Sequence, residues 1–251
     1  MYPIVIKIGP IIVYSYGVMV SLAFALGTFL LWRNAPRVGI RREKVLDLTI
    51  VILLSGIIGA RVLHVLVNIG YYLENPIQII MLTRGGLAFY GGLFSALIAA
   101  LIFIKKNSMP VWQVGDLLAP FVALGQAIGR LGCFLNGCCY GIASTFKGFG
   151  IIFPSDTILR YPVQLYSVIS LLFIYAVLRV LFEKGYFKGN LFLLYLVFYS
   201  FYRFFIEFLR GDLETFFCNL TISQIISIIV FIAAGTLIIR RRASWKNTSL
   251  R

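Results

Sequence analysis

Seven long apolar segments constrain the fold of this chain more than any other feature. A helix needs about 20 apolar residues to cross the hydrocarbon core of a bilayer, and seven segments of the sequence meet that length. Hydrophobic residues make up 60% of the 251 residues and charged residues 13%, whereas soluble domains average about half and about a quarter. The sequence therefore predicts an all-α, polytopic membrane protein with about seven transmembrane helices. Their predicted bounds are roughly 11–32, 48–69, 86–104, 112–133, 161–182, 189–210 and 218–239.

No linker, low-complexity run or internal repeat divides the sequence. Residues 1–251 are therefore predicted to form a single transmembrane domain. The stretch Met1–Pro10 lacks the basic region, the apolar region and the small-residue cleavage site of a secretory signal peptide. We expect the first apolar segment to be retained in the mature protein.

Lysine and arginine are distributed unequally between the loops. Cytoplasmic loops of membrane proteins carry an excess of these residues, and here they are dense at 33–44, 105–106, 184–188 and 240–251. The alternate loops contain an acidic segment, Gly211–Phe216, and few basic residues. Those few are Lys7, Arg84, Lys147 and Arg160. The alternation predicts an outside N-terminus and a cytoplasmic C-terminus, in a multi-pass protein of the cytoplasmic (inner) cell membrane.

The net charge of +14 follows from the same distribution. Basic residues at the cytoplasmic face contact anionic lipid headgroups, so membrane lipids are expected partners and nucleic acid is not.

Several charged and tyrosine side chains are predicted to lie at one depth, in the outer half of the membrane. Ionisable residues within membrane spans are costly and usually mark a functional site or a buried pair. The residues at this depth are Tyr16, Arg61, Tyr90, Arg130, Arg203, Glu207 and Arg210. Asp116 is the exception, because it is predicted near the inner end of the fourth span.

Arg203, Glu207 and Arg210 are spaced i, i+4 and i+7, which places them on one helical face. With Arg61 and Arg130, the level holds four arginines and one carboxylate. The guanidinium fork matches a phosphate, so the excess of arginine predicts a site for an anionic phospholipid of the outer leaflet. The alternative is that Arg203 and Glu207 form a simple pair and that arginines near span ends reach towards the headgroups.

The glycines of the spans favour a packing interpretation. Gly125 and Gly129 form a small-xxx-small pattern, which lets helices approach closely. Gly91 and Gly92 can serve the same purpose or can let a lipid approach the backbone.

The segment Gly129–Gly141, GRLGCFLNGCCYG, resembles the signature of the bacterial phosphatidylglycerol–prolipoprotein diacylglyceryl transferases, Gly-Arg-x-Gly-Asn-Phe-x-Asn-x-Glu-x-x-Gly. Further segments resemble that family in the same order along the chain. They are YSYGVM with Tyr16, GARVLHV with Arg61, GLAFYGGL with Tyr90, Gly91 and Gly92, YPVQLY, and YRFFIEFLRGD with Arg203, Glu207 and Arg210.

Three positions depart from the family pattern. Tyr90 stands where the family has histidine, Cys133 where it has asparagine, and Cys138 where it has glutamate. The only histidine of the chain, His64, is expected to pack in the protein core rather than to act as a relocated base. The chain is therefore identified as a member of a divergent, cysteine-bearing branch of the family.

The resemblance implies transfer of the diacylglyceryl group of phosphatidylglycerol to the lipobox cysteine of prolipoprotein signal peptides, with no cofactor and no metal. Arg130, Arg203, Glu207 and Tyr90 are the implied catalytic residues, since arginines stabilise the departing phosphate. Candidate acceptors for the thiol proton are Tyr90, Glu207 or Cys138, although a field of arginines alone lowers a thiol pKa. The predicted phosphatidylglycerol-binding residues are Arg130, Arg61, Arg210, Tyr16, Asn136, Gly91 and Gly92.

Two other functions remain open at this stage. One is a phospholipid-dependent transferase with a different acceptor, and the other is a non-catalytic lipid-binding or transport protein. A transporter is expected to show inverted repeats around a site near the membrane centre, and none is visible in the sequence.

The cysteine cluster Cys133, Cys138 and Cys139 has several interpretations. Buried free cysteines usually pack as small apolar residues, and a disulfide is feasible on the oxidising side of the membrane. A covalent nucleophile also remains possible. A metal site is the least favoured, because the spacing is not typical of zinc sites and histidine ligands are lacking.

Overall fold

The structure is a computed structural model, and it describes residues 2–9, 11–81, 85–145, 148, 150–153, 157–186, 188–210 and 219–248. Arg84, Lys147, Arg251 and the acidic segment 211–216 lie outside the described residues. The orientation predicted from these charges stays a prediction.

The described part of the chain contains seven helices that are long and apolar enough to cross a membrane. This confirms the predicted all-α, polytopic membrane fold. The long helices are α1 (Ser15–Asn34), α2 (Arg42–Val67), α4 (Phe89–Lys106), α5 (Val111–Asn136), α6 (Val163–Glu183), α7 (Leu191–Ile206) and α8 (Ile222–Thr248). The short elements are the strands β1 (Ile4–Ile8), β2 (Ile11–Tyr14), β3 (Ile151–Ile152) and β4 (Leu159–Arg160), and the helix α3 (Ile69–Glu74).

The predicted start of the first span at residue 11 is wrong. Residues 11–14 form β2, which pairs antiparallel with β1, and α1 begins at Ser15. Gly9 turns the chain between the strands with φ +56, as glycine does without steric cost. The backbone N–H of Ser15 donates to the Pro3 carbonyl at 2.9 Å, so the hairpin is tied to the start of the helix. The second span also differs from its prediction, because α2 begins six residues earlier, at Arg42.

The chain divides into two compact units. The first unit comprises residues 1–30 and 115–251, and the second comprises residues 31–114. Each unit is described separately below, and the expected single domain stays a prediction.

In the first unit, α5, α6 and α7 pack through a small apolar core. Ala119 and Ala123 of α5 lie against Ile174 and Leu178 of α6 and against Leu191 and Tyr195 of α7. The two alanines leave room for the larger residues opposite, so the helices approach closely.

Asp116 connects two elements of this core. Its carboxylate accepts backbone N–H bonds from Gly189, from Leu191 at 2.8 Å and from Phe192 at 3.2 Å. Three unpaired N–H groups at the start of α7 are satisfied in this way, and a negative charge at a helix N-terminus is favourable. Asp116, the charged residue predicted near the inner end of the fourth span, therefore has a structural role.

In the second unit, α2 and α4 cross through glycines. A Cβ atom on Gly91 would lie 2.4 Å from the Gly59 carbonyl oxygen, and one on Gly92 would lie 3.0 Å from the Gly56 carbonyl oxygen. A side chain at Gly59 would meet the Ser95 hydroxyl at 2.0 Å. The packing interpretation of Gly91 and Gly92 therefore accounts for both residues.

Candidate functional site

Arg130 lies in the last third of α5 and is partly buried. Within the described residues its guanidinium forms no hydrogen bond or ion pair. An arginine in a membrane span normally finds a carboxylate or carbonyl partner. Its five N–H donors are therefore available to a ligand, and an anion satisfies both the charge and the donors.

Arg203 of α7 and Glu207, the first residue of the 3₁₀ turn Glu207–Leu209 that follows α7, form a buried ion pair. Arg210 is extended directly after this turn, so the prediction that it shares one helical face with the pair is wrong. The Arg203 Nη1 atom lies 2.8 Å from the Glu207 Oε2 atom. The contact is not aligned as a hydrogen bond, and Oε2 has no such bond among the described residues. The other carboxylate oxygen accepts a bond from the Thr221 hydroxyl at 3.0 Å, and Arg203 Nη2 donates to the Ser223 hydroxyl at 3.2 Å. The simple-pair alternative is therefore correct for the geometry of these two residues.

Two polar groups close to this region were not predicted as site residues. The Tyr202 hydroxyl is buried beside Ser167 and makes no hydrogen bond of good geometry within the described residues. It lies within electrostatic reach of Arg130 and Arg203. The Gln164 Oε1 atom is likewise buried without a partner in the described part of the chain. Buried polar groups are nearly always satisfied, so both atoms are available to a ligand.

The sequence contains a signal for Gln164. Gln164 is a fully buried amide at the second position of the mainly apolar helix α6. Its Nε2 atom donates to the Cys138 carbonyl at 2.7 Å. Tyr202 carried no such signal, because α7 is rich in aromatic residues.

Tyr16 and Gly132 meet where α1 crosses α5. A Cβ atom on Gly132 would lie 3.0 Å from the Met19 Cβ atom and 3.3 Å from the Tyr16 ring. Tyr16 is half exposed and lies within electrostatic reach of Arg130 and of Cys133. The structure thus brings Tyr16 and Arg130, both predicted to bind lipid, into one region.

The segment after α5 is fixed between two other elements. The Gly141 N–H donates to the Tyr161 carbonyl at 2.9 Å, and the Ile142 N–H donates to the Leu209 carbonyl at 2.9 Å. Gly141 also pairs with Arg210 in an isolated β-bridge. A Cβ atom at Gly141 would lie 2.5 Å from the Leu209 carbonyl oxygen, which explains the glycine at the end of the signature.

Cys133, Cys138 and Cys139 are free thiols, and their sulfur atoms lie within 4.8 Å of one another. Hydrogen bonds from the thiols of Cys133 and Cys139 hold the pKa of the Cys138 thiol below its usual range. The Asn136 side chain adds a further hydrogen bond to Cys138. Asn136, predicted to bind the lipid, therefore contacts the thiol cluster.

Arg61, in the second unit, has a different environment. Its Nε atom donates to the Ile79 carbonyl, its Nη1 atom to the Gly85 and Gly86 carbonyls, and its Nη2 atom to the Gln78 and Met81 carbonyls. Every N–H donor of the guanidinium is engaged, and the side chain also lies over the Tyr72 ring. A lipid phosphate would have to displace these bonds.

The Tyr90 and His64 side chains make no polar contact with the described residues. The Tyr90 side chain is about half exposed and its ring packs edge-on against Phe89. His64 packs against the Tyr72 ring at 6.0 Å, in agreement with the expected packing role.

The packing interpretation of Gly125 and Gly129 is wrong. A Cβ atom on either residue would meet no atom of the described residues within 4 Å. The close helix approach is at Gly132 instead.

An open apolar cavity of about 990 Å³ lies along α6 and α7 of the first unit, and α8 contributes Phe231 to its wall. Its wall is formed mainly by phenylalanine and aliphatic side chains, and it includes Tyr202. Several wall residues, among them Phe173 and Phe201, are largely exposed. Among its described residues, the first unit therefore combines a guanidinium and two polar atoms that have no partner with an apolar cavity. This combination suits a ligand with an anionic headgroup and hydrocarbon chains.

Comparisons with known proteins agree with this chemistry. A family model described as prolipoprotein diacylglyceryl transferase matches residues 3–240. A phosphatidylglycerol–prolipoprotein diacylglyceryl transferase of Bacillus licheniformis is 36% identical over 249 residues, which cover 96% of this chain and 92% of the relative. The protein of the same name from Enterococcus faecalis is 36% identical over 241 residues, which cover 92% of this chain and 87% of that relative. The chain belongs to the prolipoprotein diacylglyceryl transferase family.

Proposed function

We propose that this protein transfers the diacylglyceryl group of phosphatidylglycerol to the lipobox cysteine of prolipoprotein signal peptides. The observation that carries the proposal is the guanidinium of Arg130, which has no partner among the described residues. It is supported by relatives that are named phosphatidylglycerol–prolipoprotein diacylglyceryl transferases. In the reaction the sulfur of the acceptor cysteine forms a bond to a glyceryl carbon. The bond between that carbon and the phosphate oxygen breaks, and glycerol phosphate leaves with the electron pair.

Arg130 is the residue that binds the departing phosphate. Negative charge accumulates on the phosphate oxygens as the carbon–oxygen bond breaks, and a preorganised donor stabilises that charge most in a water-poor site. Because no described side chain neutralises Arg130, its full charge is available at that moment.

Arg203 is the second arginine that stabilises the departing phosphate, and Glu207 positions its side chain. The Glu207 carboxylate is fully buried and is held by Thr221 on one oxygen. The pair fixes the direction of the guanidinium, whose Nη2 atom points to Ser223. We assign Glu207 to positioning Arg203, and Arg61 to holding the backbone of residues 78–81 and 85–86 rather than the phosphate.

Tyr202 and the apolar cavity fit the remaining parts of the lipid. The cavity has the volume of a typical small-molecule site, and its phenylalanine-rich wall suits an acyl chain. Tyr202 lines the cavity and also lies within electrostatic reach of Arg130. The phosphate and an acyl chain of one lipid are therefore accommodated on adjacent surfaces of the first unit.

The location follows from the charge distribution. The basic loops predict an outside N-terminus, which places Arg130 at the depth of outer-leaflet headgroups. We assign the protein to the cytoplasmic membrane, with signal peptides and membrane lipids as partners.

The test is expression of this chain in cells depleted of their own diacylglyceryl transferase. A lipobox peptide is then examined by mass spectrometry for the thioether-linked diacylglyceryl increment. We expect the increment with the unchanged chain and its loss with Arg130→Ala. A stably inserted protein that produces no increment contradicts the proposal and favours a different acceptor.

A further inference from the structure

The thiols of Cys133, Cys138 and Cys139 are brought together by the way in which α5 ends. The Cys138 N–H donates to the Cys133 carbonyl at 3.1 Å, and the Gly137 N–H donates to the Phe134 carbonyl at 3.1 Å. Gly137 has φ +72. These two bonds and the left-handed glycine form a Schellman motif, which folds the residue after the glycine back over the last turn of the helix. Cys138 therefore lies against Cys133.

Cys139 completes the cluster at a conformational cost. Its φ is +62, a conformation that costs a residue with a side chain about 1–2 kcal/mol. Such outliers persist where the surrounding structure fixes them, and they are frequent at functional sites. Here the Gln164 Nε2 atom donates to the Cys138 carbonyl at 2.7 Å, and the ring of the next residue, Tyr140, packs against Phe153 with a centroid distance of 4.9 Å. The three sulfur atoms are thus preorganised.

The sulfur positions match the requirements of a thiolate metal site. A tetrahedral Zn–S bond of about 2.3 Å puts the sulfur atoms about 3.8 Å apart, and the three atoms here lie within 4.8 Å of one another. Thiolate ligands select zinc and copper(I) over hard cations. A single disulfide would leave one of the three thiols unused, and its sulfur atoms would have to approach to about 2.05 Å.

The electrostatic surroundings favour a thiolate complex. Three thiolates and one divalent ion carry one net negative charge. Arg210 lies within electrostatic reach of Cys139.

We propose that Cys133, Cys138 and Cys139 bind one zinc ion through three thiolates, and that the fourth position takes the acceptor cysteine of the substrate. Three protein ligands with an open position are the arrangement of catalytic zinc sites. A thiol that coordinates zinc is deprotonated, and its proton passes to water. The bound sulfur then attacks the glyceryl carbon, the carbon–oxygen bond breaks, and no oxidation or reduction occurs.

The second half of this inference rests on the proposed function. The proposed zinc site accounts for the three residues at which this chain differs from the family pattern. Tyr90 replaces the family's histidine, and Cys133 and Cys138 introduce two of the three thiols. A metal-bound thiolate needs no histidine base.

The experiment uses Co²⁺ as a spectroscopic probe of the purified full chain in detergent, reduced and under anaerobic conditions. Cys218→Ser is introduced throughout so that only the three thiols remain. We expect one equivalent of Co²⁺ to produce sulfur-to-cobalt charge-transfer absorption, and Zn²⁺ to displace it. Cys138→Ser and Cys139→Ser, each checked for an unchanged melting temperature, are expected to lose most of the absorption. Ser144→Ala serves as a control from the same loop that keeps it.

A second step tests the open position without any transfer reaction. A lipobox peptide is added to the cobalt-loaded protein in the absence of phospholipid. A fourth thiolate is expected to raise the charge-transfer absorption by about one third, while the same peptide with serine in place of cysteine leaves it unchanged.

Three outcomes overturn the proposal. They are titratable thiols without charge-transfer absorption, isolation of the protein with a disulfide in the cluster, and absorption that disappears on Cys218→Ser alone. Absorption that ignores the cysteine peptide overturns the role of the fourth position. Because neither step measures diacylglyceryl transfer, failure here is distinguishable from failure of the proposed function.

Discussion

Arg61 and Arg130 both follow a glycine or alanine within an apolar helix, yet they have opposite environments. Arg61 of the second unit donates to five backbone carbonyls and is buried. Arg130 of the first unit makes no hydrogen bond or ion pair within the described residues. The comparison shows that an arginine in a membrane span does not by itself indicate a ligand. The state of its donors decides whether it stabilises the protein or remains available for an anion.

The largest expected effect is on stability, from Arg61→Ala. Five carbonyls lose charged donors, and each such loss costs about 1–3 kcal/mol unless water replaces the donor. We expect a loss of about 5 kcal/mol in the free energy of unfolding, measured as a fall in folded yield and melting temperature in detergent. Arg61→Lys restores only part of it, because an ammonium has three donors in a different geometry. A fully stable Arg61→Ala protein with impaired lipid binding would instead give Arg61 the same role as Arg130.

The next effect concerns the buried pair. Glu207→Gln leaves the Arg203 charge without its carboxylate, and breaking a buried ion pair costs about 3–5 kcal/mol. The matched control is Glu183→Gln, which removes the partner of Arg179 at 2.7 Å in a more exposed pair with the same i, i+4 spacing. Exposed pairs contribute at most about 1 kcal/mol, so this control is expected to unfold at nearly the wild-type temperature. Equal losses in both variants would contradict the positioning role of Glu207.

Arg130→Ala is expected to show the reverse of the Arg61 result. The melting temperature stays close to wild type, since no described contact is lost. The rate of diacylglyceryl transfer falls by roughly 10²–10³-fold, as when one charge-stabilising donor is removed from an enzyme. Initial rates at equal amounts of folded protein measure the effect, and the exposed Arg41→Ala is the control.

The smallest expected effect is on Tyr202. Tyr202→Phe removes a hydroxyl that has no well-formed partner among the described residues, so stability is unchanged or slightly higher. If the hydroxyl binds the lipid phosphate, transfer slows by about tenfold. Tyr195→Phe is the matched control, because it breaks a 2.9 Å hydrogen bond to Gln126. That variant is expected to lose about 1 kcal/mol of stability and to keep its transfer rate.

The sequence predicted the spans well because their length and apolar character follow directly from the bilayer. It failed at residues 11–14, whose isoleucine and valine are as apolar as a membrane helix but favour strands. The turn signal was present in Gly9 and Pro10. The strands of the hairpin differ from a membrane span in their length and not in their hydropathy, because each has only 4 or 5 residues.

The candidate site was predicted by residue type but not by environment. Nothing in the order of residues shows that carbonyls of residues 78–81 and 85–86 accept from Arg61. Nor does it show that Gly125 and Gly129 lack close neighbours among the described residues. The low rank of a metal at the thiol cluster rested on sequence spacing alone. Metal spacing rules describe common motifs, whereas here the Schellman motif at Gly137 joins Cys133 and Cys138 across the end of the helix.

The most direct test of the central claim is the affinity of the purified protein for phosphatidylglycerol. Wild type, Arg130→Ala, Arg61→Lys and the control Arg41→Ala are compared in detergent at equal folded concentration. Loss of a charge-assisted contact to the phosphate is worth about 1.5–3 kcal/mol, so Arg130→Ala is predicted to bind about tenfold to hundredfold more weakly. The folded Arg61→Lys protein is predicted to bind like wild type. Unchanged affinity in Arg130→Ala, or an equal loss in both variants, would contradict the assignment of the phosphate to Arg130.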